Sequence, residues 1–218
     1  VAIFDSVAGV QPQSETVWRQ ADKYRVPRLA FVNKMDKMGA DFDHVIRTIR
    51  QRLGAHPVPL QFPLGREDNF IGVIDFLEEK VIVWLEETLG AKYETFPVEK
   101  LWDKAFVDSR PDVAAALKGS AIDKKFYEEH RAKAVEYIAE HDDEVLDKYL
   151  TEGTLSVEEM RKSIRKSTLA MKIVPVLAGS AFKNKGIQPL LDAVIDYLPS
   201  PVDVPPVEGI NPDNDEPI

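Results

Sequence analysis

Two short apolar runs that each stop in a polar loop constrain the fold of this chain more than any other feature. Residues 29–32 are followed by the letters NKMD, and residues 173–178 are followed by GSA. Parallel sheets bring the carboxyl ends of their strands to one edge, where the loops can meet a ligand. The two runs therefore predict an α/β fold with both loops side by side at the edge of a parallel sheet.

The first loop contains a carboxylate suited to a guanine base. Guanine presents two donors on one edge, N1–H and the exocyclic amino group, and one ionised carboxylate can accept both. Asp36 can fill that role. A backbone N–H in the second loop can donate to O6 of the ring, and we assign this donation to Ala181. Together the two loops predict a guanine pocket.

Three further side chains complete the predicted pocket. The stem of a lysine can cover a flat ring while its ammonium stays in water, so we expect Lys34 on one face of the base and Lys183 on the other. Asn33 carries an amide donor and an amide acceptor, which suits a cross-link between this loop and nearby backbone. Motifs this short also occur by chance, and the alternative is a pair of ordinary strand-to-helix turns.

The sequence around both loops resembles the GTP-binding domain of bacterial elongation factor G, the ribosomal translocase. The resemblance is carried by the segments DSVAGVQPQSETVWRQADKYRVPRLAFVNKMDKMGADF and GSAFKNKGIQPLLDAVIDYLPSP. It implies a P-loop-GTPase-type doubly wound parallel sheet that binds GTP or GDP, with guanine contacts at Asn33, Lys34, Asp36, Ser180 and Ala181. It also implies that the residues between the two loops form an inserted α+β subdomain.

The residue pattern and the resemblance together divide the chain into four parts. We expect the carboxyl-side part of the GTP-binding domain at 1–57, the inserted subdomain at 58–170, the return to the GTP-binding domain at 171–198 and a linker at 199–218. The linker is stiffened by four prolines, Pro199, Pro201, Pro205 and Pro206. Within the insert, residues 101–127 have no clear counterpart in the family.

Hydrophobic periodicity and helix-end signals predict the elements along the chain. Strands are expected at 1–5, 29–32, 70–76, 80–85 and 173–178. Helices are expected at 12–24, 41–54, 98–107, 123–141, 156–171 and 189–198. Asp41 and Ser156 have side chains that can cap the beginning of a helix, and Gly54 can end one.

Two GTPase elements are missing from the sequence. No stretch matches the phosphate loop G-x-x-x-x-G-K-[ST], and no D-x-x-G is followed by His. The resemblance implies that both elements precede Val1, which follows no methionine, so we expect the chain to be a fragment. The intact factor would be a GTPase with Mg²⁺ bridging the β- and γ-phosphates. The chain alone is expected to be inactive, without catalytic residues or metal ligands of its own.

Composition excludes several classes of protein. The chain has no cysteine, which rules out disulfides and thiolate metal sites, and it has no apolar run long enough to span a membrane. A formal charge of −9 argues against a nucleic-acid clamp in this segment. Composition thus agrees with a cytoplasmic protein. The resemblance implies that it works on the ribosome, with most rRNA contacts made by parts of the factor outside this chain.

The helix expected at 123–141 carries a candidate partner surface. Its apolar stripe should pack inward and consists of Ala132, Val135, Ile138 and Ala139. Its outer face should carry three glutamates, Glu129, Glu136 and Glu140. By resemblance, Glu136 and Glu140 match glutamates that contact the basic carboxyl-terminal domain of the ribosomal stalk protein. The alternative is a charged face that meets only solvent.

The sequence leaves two other functions open. Another translational GTPase, such as a release-type or ribosome-protection factor, would share the guanine loops, although the letters SETVWRQADKYRVPRLAFVNKMDK favour elongation factor G. A non-catalytic module that binds the ribosomal stalk would use the insert instead. The gene sequence upstream of Val1 distinguishes these functions, since a GTPase requires a phosphate loop there.

Overall fold

The computed structural model describes residues 1–85, 90–120 and 122–203 of the 218-residue chain. In chain order, the strands of these residues are β1 (Ala2–Asp5), β2 (Ala30–Asn33), β3 (Pro57–Pro59), β4 (Gln61–Leu64), β5 (Gly72–Asp75), β6 (Lys80–Trp84), β7 (Tyr93–Pro97) and β8 (Val174–Ala178). Their α-helices are α1 (Pro12–Lys23), α2 (Phe42–Leu53), α3 (Lys104–Asp108), α4 (Pro111–Ser120), α5 (Lys124–Ala139), α6 (Asp143–Glu152), α7 (Val157–Leu169) and α8 (Ile187–Tyr197).

A parallel sheet with the strand order β1-β2-β8-β3 forms the first half of the fold. The side chains of the interior strand β2 alternate between two apolar clusters. Val32 belongs to the cluster that contains Trp18 of α1 and Ile49 of α2, whereas Phe31 belongs to the cluster that contains residues of α7 and α8. Helices thus cover both faces of the sheet, which confirms the predicted doubly wound α/β arrangement.

An antiparallel sheet with the order β4-β5-β6-β7 follows β3 in the chain. Each of its strands pairs with the next one along the sequence. Helices α3 to α7 also lie between β3 and β8 in the chain. The chain therefore leaves the parallel sheet after β3, forms a sheet and helices of its own, and returns at β8, as expected for an inserted α+β subdomain.

Leu60 links the two sheets along the chain. It separates β3 from β4, its N–H donates to Val176 O of β8 at 3.0 Å, and its carbonyl accepts from Phe76 N at 3.0 Å. The side chain of Leu60 is 4% exposed. The insert is thus bonded to the parallel sheet at the point where the chain crosses between them.

The sequence prediction misses β3, β4 and β7. All three are edge strands of their sheets. Pro57, Pro59 and Pro63 lie in β3 and β4, and proline argues against an interior strand but is tolerated at an edge. In β7, exposed residues alternate with partly buried ones, so no apolar run marks it. These three strands are stabilised by pairing with β8, β5 and β6 and have no clear pattern of their own.

The helix predictions need three corrections. The single helix expected at 98–107 is wrong: Val98–Trp102 forms a 3₁₀ turn, and Asp103 then caps α3 by accepting from Ala105 N at 3.0 Å. Helices α4 and α6 lie where no helix was predicted. Ala132, expected in the inward stripe of α5, is exposed, and Ala134 is buried there instead.

The predicted helix ends are confirmed. Asp41 accepts from His44 N at 2.7 Å, Gly54 ends α2 in the left-handed conformation, and Ser156 forms the capping box with Glu159. Pro201–Asp203 forms a 3₁₀ turn, while Pro205 and Pro206 of the expected linker lie outside the described residues. No helix in the described ranges is both long and apolar enough to cross a membrane.

Candidate functional site

The 33–36 loop and the 179–183 loop lie next to each other at the carboxyl edge of the parallel sheet. They follow β2 and β8, which are neighbours in register, with Val32 opposite Ala178. Backbone bonds continue past the strands: Gly179 N donates to Val32 O at 2.9 Å and Met35 N donates to Gly179 O at 3.1 Å. The sheet therefore fixes the relative position of the two loops.

Asn33 joins the two loops through its side chain. Its Oδ1 accepts from Lys34 N at 2.8 Å and from Ala181 N at 2.9 Å. The Ala181 N–H, which we expected to face a base oxygen, thus donates to Asn33. A base could receive this proton by sharing it with Asn33 in a three-centre bond.

Asp36 and Lys183 face each other across the gap between the loops. Asp36 Oδ2 lies 3.9 Å from Lys183 Nζ, and the two side chains are 18% and 37% exposed. This separation is longer than a hydrogen bond, so the pair is a loose ionic contact. The Asp36 carboxylate therefore retains acceptor positions for a ligand.

Ser180 supports the second loop from inside. The residue is 1% exposed, and its backbone forms a bridge with Lys185 through hydrogen bonds of 2.9 and 3.0 Å. Gly179 just before it has no room for a side chain, because an added Cβ would lie 2.3 Å from Lys185 O and 2.7 Å from Phe31 Cζ. The loop therefore depends on glycine at this position.

Lys34 is held by the end of β1, a contact that the sequence prediction did not include. Its Nζ lies 2.9 Å from Asp5 Oδ2, and its carbonyl accepts from Ser6 Oγ at 2.7 Å. The backbone of Lys34 is left-handed, with φ at 65°, a conformation that costs a non-glycine residue on the order of 1 kcal/mol. The bonds from Asp5 and Ser6 hold the lysine in that conformation.

Asp5 is anchored on both carboxylate oxygens. Its Oδ1 accepts from Val7 N at 2.9 Å and Ala8 N at 3.1 Å, while Oδ2 meets Lys34. Burial alone would raise the pKa of Asp5, but the Lys34 ammonium and the two N–H donors outweigh it and lower the pKa to about 2. The sequence carried a signal for the contact between Asp5 and Lys34, since Asp5 ends the strand that lies beside β2.

The second candidate surface is the outer face of α5. Glu136 and Glu140 are both exposed, and neither forms an ion pair within the described parts of the chain. Glu129 is exposed too, but it lies 3.9 Å from Lys125. Within the described residues, two glutamates one helical turn apart on the insert thus form no ion pair.

Comparison with known proteins places both loops within one family match. Residues 1–200 match the family model described as the elongation factor Tu GTP binding domain. A crystal structure of a protein from Thermus thermophilus is similar to this chain, with a TM-score of 0.70 and 25% sequence identity. That match covers 93% of this chain but 27% of the Thermus protein, so this chain spans a small part of the length of that protein.

Proposed function

Because this chain belongs to the elongation factor Tu GTP-binding domain family, we propose that its 33–36 and 179–183 loops hold the guanine base of GTP or GDP. The observation that carries the proposal is the meeting of the loops: Asn33 accepts the Ala181 N–H at 2.9 Å, and Asp36 lies 3.9 Å from Lys183. A carboxylate and an amide thus lie together at the carboxyl edge of a parallel sheet, where such folds bind ligands.

Each loop residue has a separate role in this proposal. Asp36 accepts N1–H and the exocyclic amino group of guanine, and the Ala181 N–H, shared with Asn33, donates to O6. The stems of Lys34 and Lys183 cover the two faces of the ring. Ser180 fixes the second loop from its buried position. The pocket selects the base and takes no part in breaking the phosphate bond.

The described residues do not fit a Mg²⁺ site. At the loop edge, Asp5 is committed to Lys34 and two N–H groups, and Asp36 faces Lys183. The described ranges contain no group of three or more acidic or histidine side chains that could hold a metal. In the intact factor, Mg²⁺ would therefore be held by phosphates and by residues other than those described.

We further propose that the chain is the carboxyl-side part of an elongation factor G-type GTP-binding domain with its inserted subdomain. The intact factor would couple GTP hydrolysis to movement of tRNA and mRNA on the ribosome. This is supported by the segments that resemble elongation factor G and by the insert between β3 and β8. The proposed parts are residues 1–57 and 171–198 for the GTP-binding domain, 58–170 for the insert and 199–218 for the linker.

The proposed partner is the ribosome of the cytoplasm, reached in part through the stalk protein. Glu136 and Glu140 are exposed and unpaired within the described residues, so they can meet a basic domain without first breaking an ion pair. The formal charge of −9 disfavours rRNA as the direct partner of this segment. Contacts to rRNA would come from other parts of the factor.

Two alternatives to this proposal differ in what they require. Another translational GTPase, of the release or ribosome-protection type, would use the same base pocket and differ in the ribosomal state that stimulates it. A non-catalytic module that binds the stalk would keep the α5 surface and have no use for the pocket. Selective binding of guanine nucleotides separates this last alternative from both kinds of GTPase.

A base-swap experiment tests the proposed pocket. In a full-length factor that carries this segment and a phosphate loop, Asp36→Asn should shift the preference from GTP to XTP, because the amide can donate to the C2 oxygen of xanthine. We expect a change in the GTP/XTP affinity ratio of roughly a hundredfold or more. Competition binding measures the ratio, and Asp68→Asn on an exposed turn is the control. An unchanged ratio would show that Asp36 does not contact the base.

A further inference from the structure

A cleft lies between the antiparallel sheet and helices α7 and α8. It has a volume of about 350 Å³. One face of the sheet forms its floor: Gln61, Asp75 and Lys80 lie opposite one another across β4, β5 and β6, so their side chains share that face. Arg161 of α7 and Asp192 and Asp196 of α8 line the other wall. The cleft uses none of the residues proposed to contact guanine.

The charge of this cleft is negative once its ion pairs are counted. The lining cations Lys80 and Arg161 both pair with one carboxylate, Glu78. Asp75, Asp192 and Asp196 form no ion pair with a lysine or arginine of the described residues. The lining thus carries four carboxylates and two cations, a net charge of −2, and three of the carboxylates form no ion pair among the described residues.

A buried acceptor in the floor of the cleft also lacks a partner. Gln61 is 2% exposed, and its Oε1 has no hydrogen-bond donor among the described residues. A buried acceptor without a donor destabilises the fold, so a donor brought into the cleft would relieve that cost. The amide lies directly opposite Asp75 in the β-ladder, so one donor-rich group can serve both side chains.

The remaining wall is apolar. Leu60, Leu77 and Leu177 line the cleft beside the carboxylates. A ligand that suits this wall has methylene groups between its charged ends, because a hydrated metal ion would leave the leucines facing water. The described residues also provide no cluster of carboxylates close enough for a metal ion.

From the unpaired carboxylates, the orphan amide oxygen and the apolar wall, we propose that this cleft binds an aliphatic diamine or polyamine. Its ammonium groups would donate to Asp192, Asp196 and Gln61, and its methylene chain would lie on the leucines. The volume is in the range of small-molecule pockets. The proposal is independent of the guanine pocket, and it holds or fails without regard to nucleotide binding.

Titration calorimetry with putrescine and spermidine tests this proposal on the full-length protein that carries this chain. We expect a saturable site whose affinity falls roughly tenfold in the double variant Asp192→Asn with Asp196→Asn, because two charge-assisted bonds are lost. Both positions lie on the accessible side of α8, and thermal unfolding confirms that the variant is folded. Gln61→Met, which removes the acceptor and keeps the size, should weaken binding severalfold.

Two controls separate a built site from general attraction to an acidic chain. Asp143→Asn with Asp147→Asn makes the same chemical change at two exposed positions of α6 that do not line the cleft, and it should leave the affinity unchanged. Butane-1,4-diol, a neutral analogue of putrescine, should not bind. Equal weakening by the two double variants, displacement by Mg²⁺ at constant ionic strength, or the absence of a saturable site would each overturn the proposal.

Discussion

The Nζ atom of Lys34 lies 2.9 Å from Oδ2 of Asp5, so the end of β1 holds a lysine of the neighbouring 33–36 loop. The two residues are 29 positions apart in the chain, and the parallel pairing of Asp5 with Asn33 brings them together. Asp5 is thus a positioning residue for the proposed pocket, one strand away from the base.

We expect Asp5→Asn to weaken binding of GTP and GDP by a full-length factor roughly three- to tenfold. The amide can still accept from Val7 and Ala8, but it no longer holds the ammonium of Lys34. Fluorescent nucleotide titration measures the change. Asp68→Asn, the same chemical change on an exposed turn, should have no effect, and equal affinities for wild type and Asp5→Asn would rule out the positioning role.

The same variant should change the acid stability of the fold. The pKa of Asp5 is about 2, below the ordinary value of 3.8, so the ionised carboxylate stabilises the folded state. This contribution is complete above about pH 4 and is lost as the pH falls through the folded pKa. Asp5→Asn should therefore cost about 1 kcal/mol at pH 7 and much less near pH 2, as urea unfolding at the two pH values would show. A pH-independent difference would contradict this assignment.

For Asp75, we expect the effect of the carboxylate on folding stability to have the opposite sign. Burial raises the pKa of Asp75 in the folded state. Desolvation of the ionised carboxylate therefore destabilises the wild type, and this effect grows as the pH rises from the pKa of Asp75 in the unfolded chain to its pKa in the folded one. In Asp75→Asn the amide oxygen can still accept from Leu77 N and Glu78 N, at 2.9 and 3.0 Å in the wild type. We expect a higher Tm for the variant at pH 7 and no gain in acid. A lower Tm of the variant at pH 7 would show that favourable interactions of the Asp75 carboxylate outweigh its desolvation.

The sequence was sufficient to predict where the two loops lie, but it did not predict the contacts that support them. The 33–36 loop could be located because an apolar strand stops abruptly before it, whereas the link from Asp5 to Lys34 depends on strand pairing across 29 residues. Proline in β3 and β4 concealed edge strands that only tertiary pairing stabilises. The exposure of Ala132 likewise follows from which side of α5 the insert covers, which periodicity alone does not decide.

The 218-residue chain alone should hydrolyse no GTP. Affinity for a triphosphate comes mostly from the backbone cradle and lysine of a phosphate loop, and this sequence contains no match to that motif. Single-turnover assays should give the rate of buffer alone, and nucleotide titration should give binding at least about a thousandfold weaker than that of a full-length GTPase. Turnover comparable with an intact factor would disprove this prediction.

The α5 surface can be tested by reversing its charge. In a full-length factor, Glu136→Lys with Glu140→Lys should slow ribosome-stimulated GTP turnover severalfold at low salt, because complementary charges act mainly on the rate of association. The defect should shrink as salt screens the charges, and nucleotide affinity should stay the same. Glu136→Asp with Glu140→Asp keeps the charges and serves as the control. Normal turnover by the lysine variant would leave these glutamates as a solvent-exposed face.

Leu60 gives the molecule a mechanical property. Leu60, the buried residue between β3 and β4, is bonded on one side to β8 and on the other to the start of the turn after β5. A load applied to the insert therefore reaches the strand that leads into Gly179 and Ser180 without passing through a flexible tether. Because Leu60 shares an apolar cluster with Val135 and Ile138 of α5, a force on that helix should also strain the 179–183 loop.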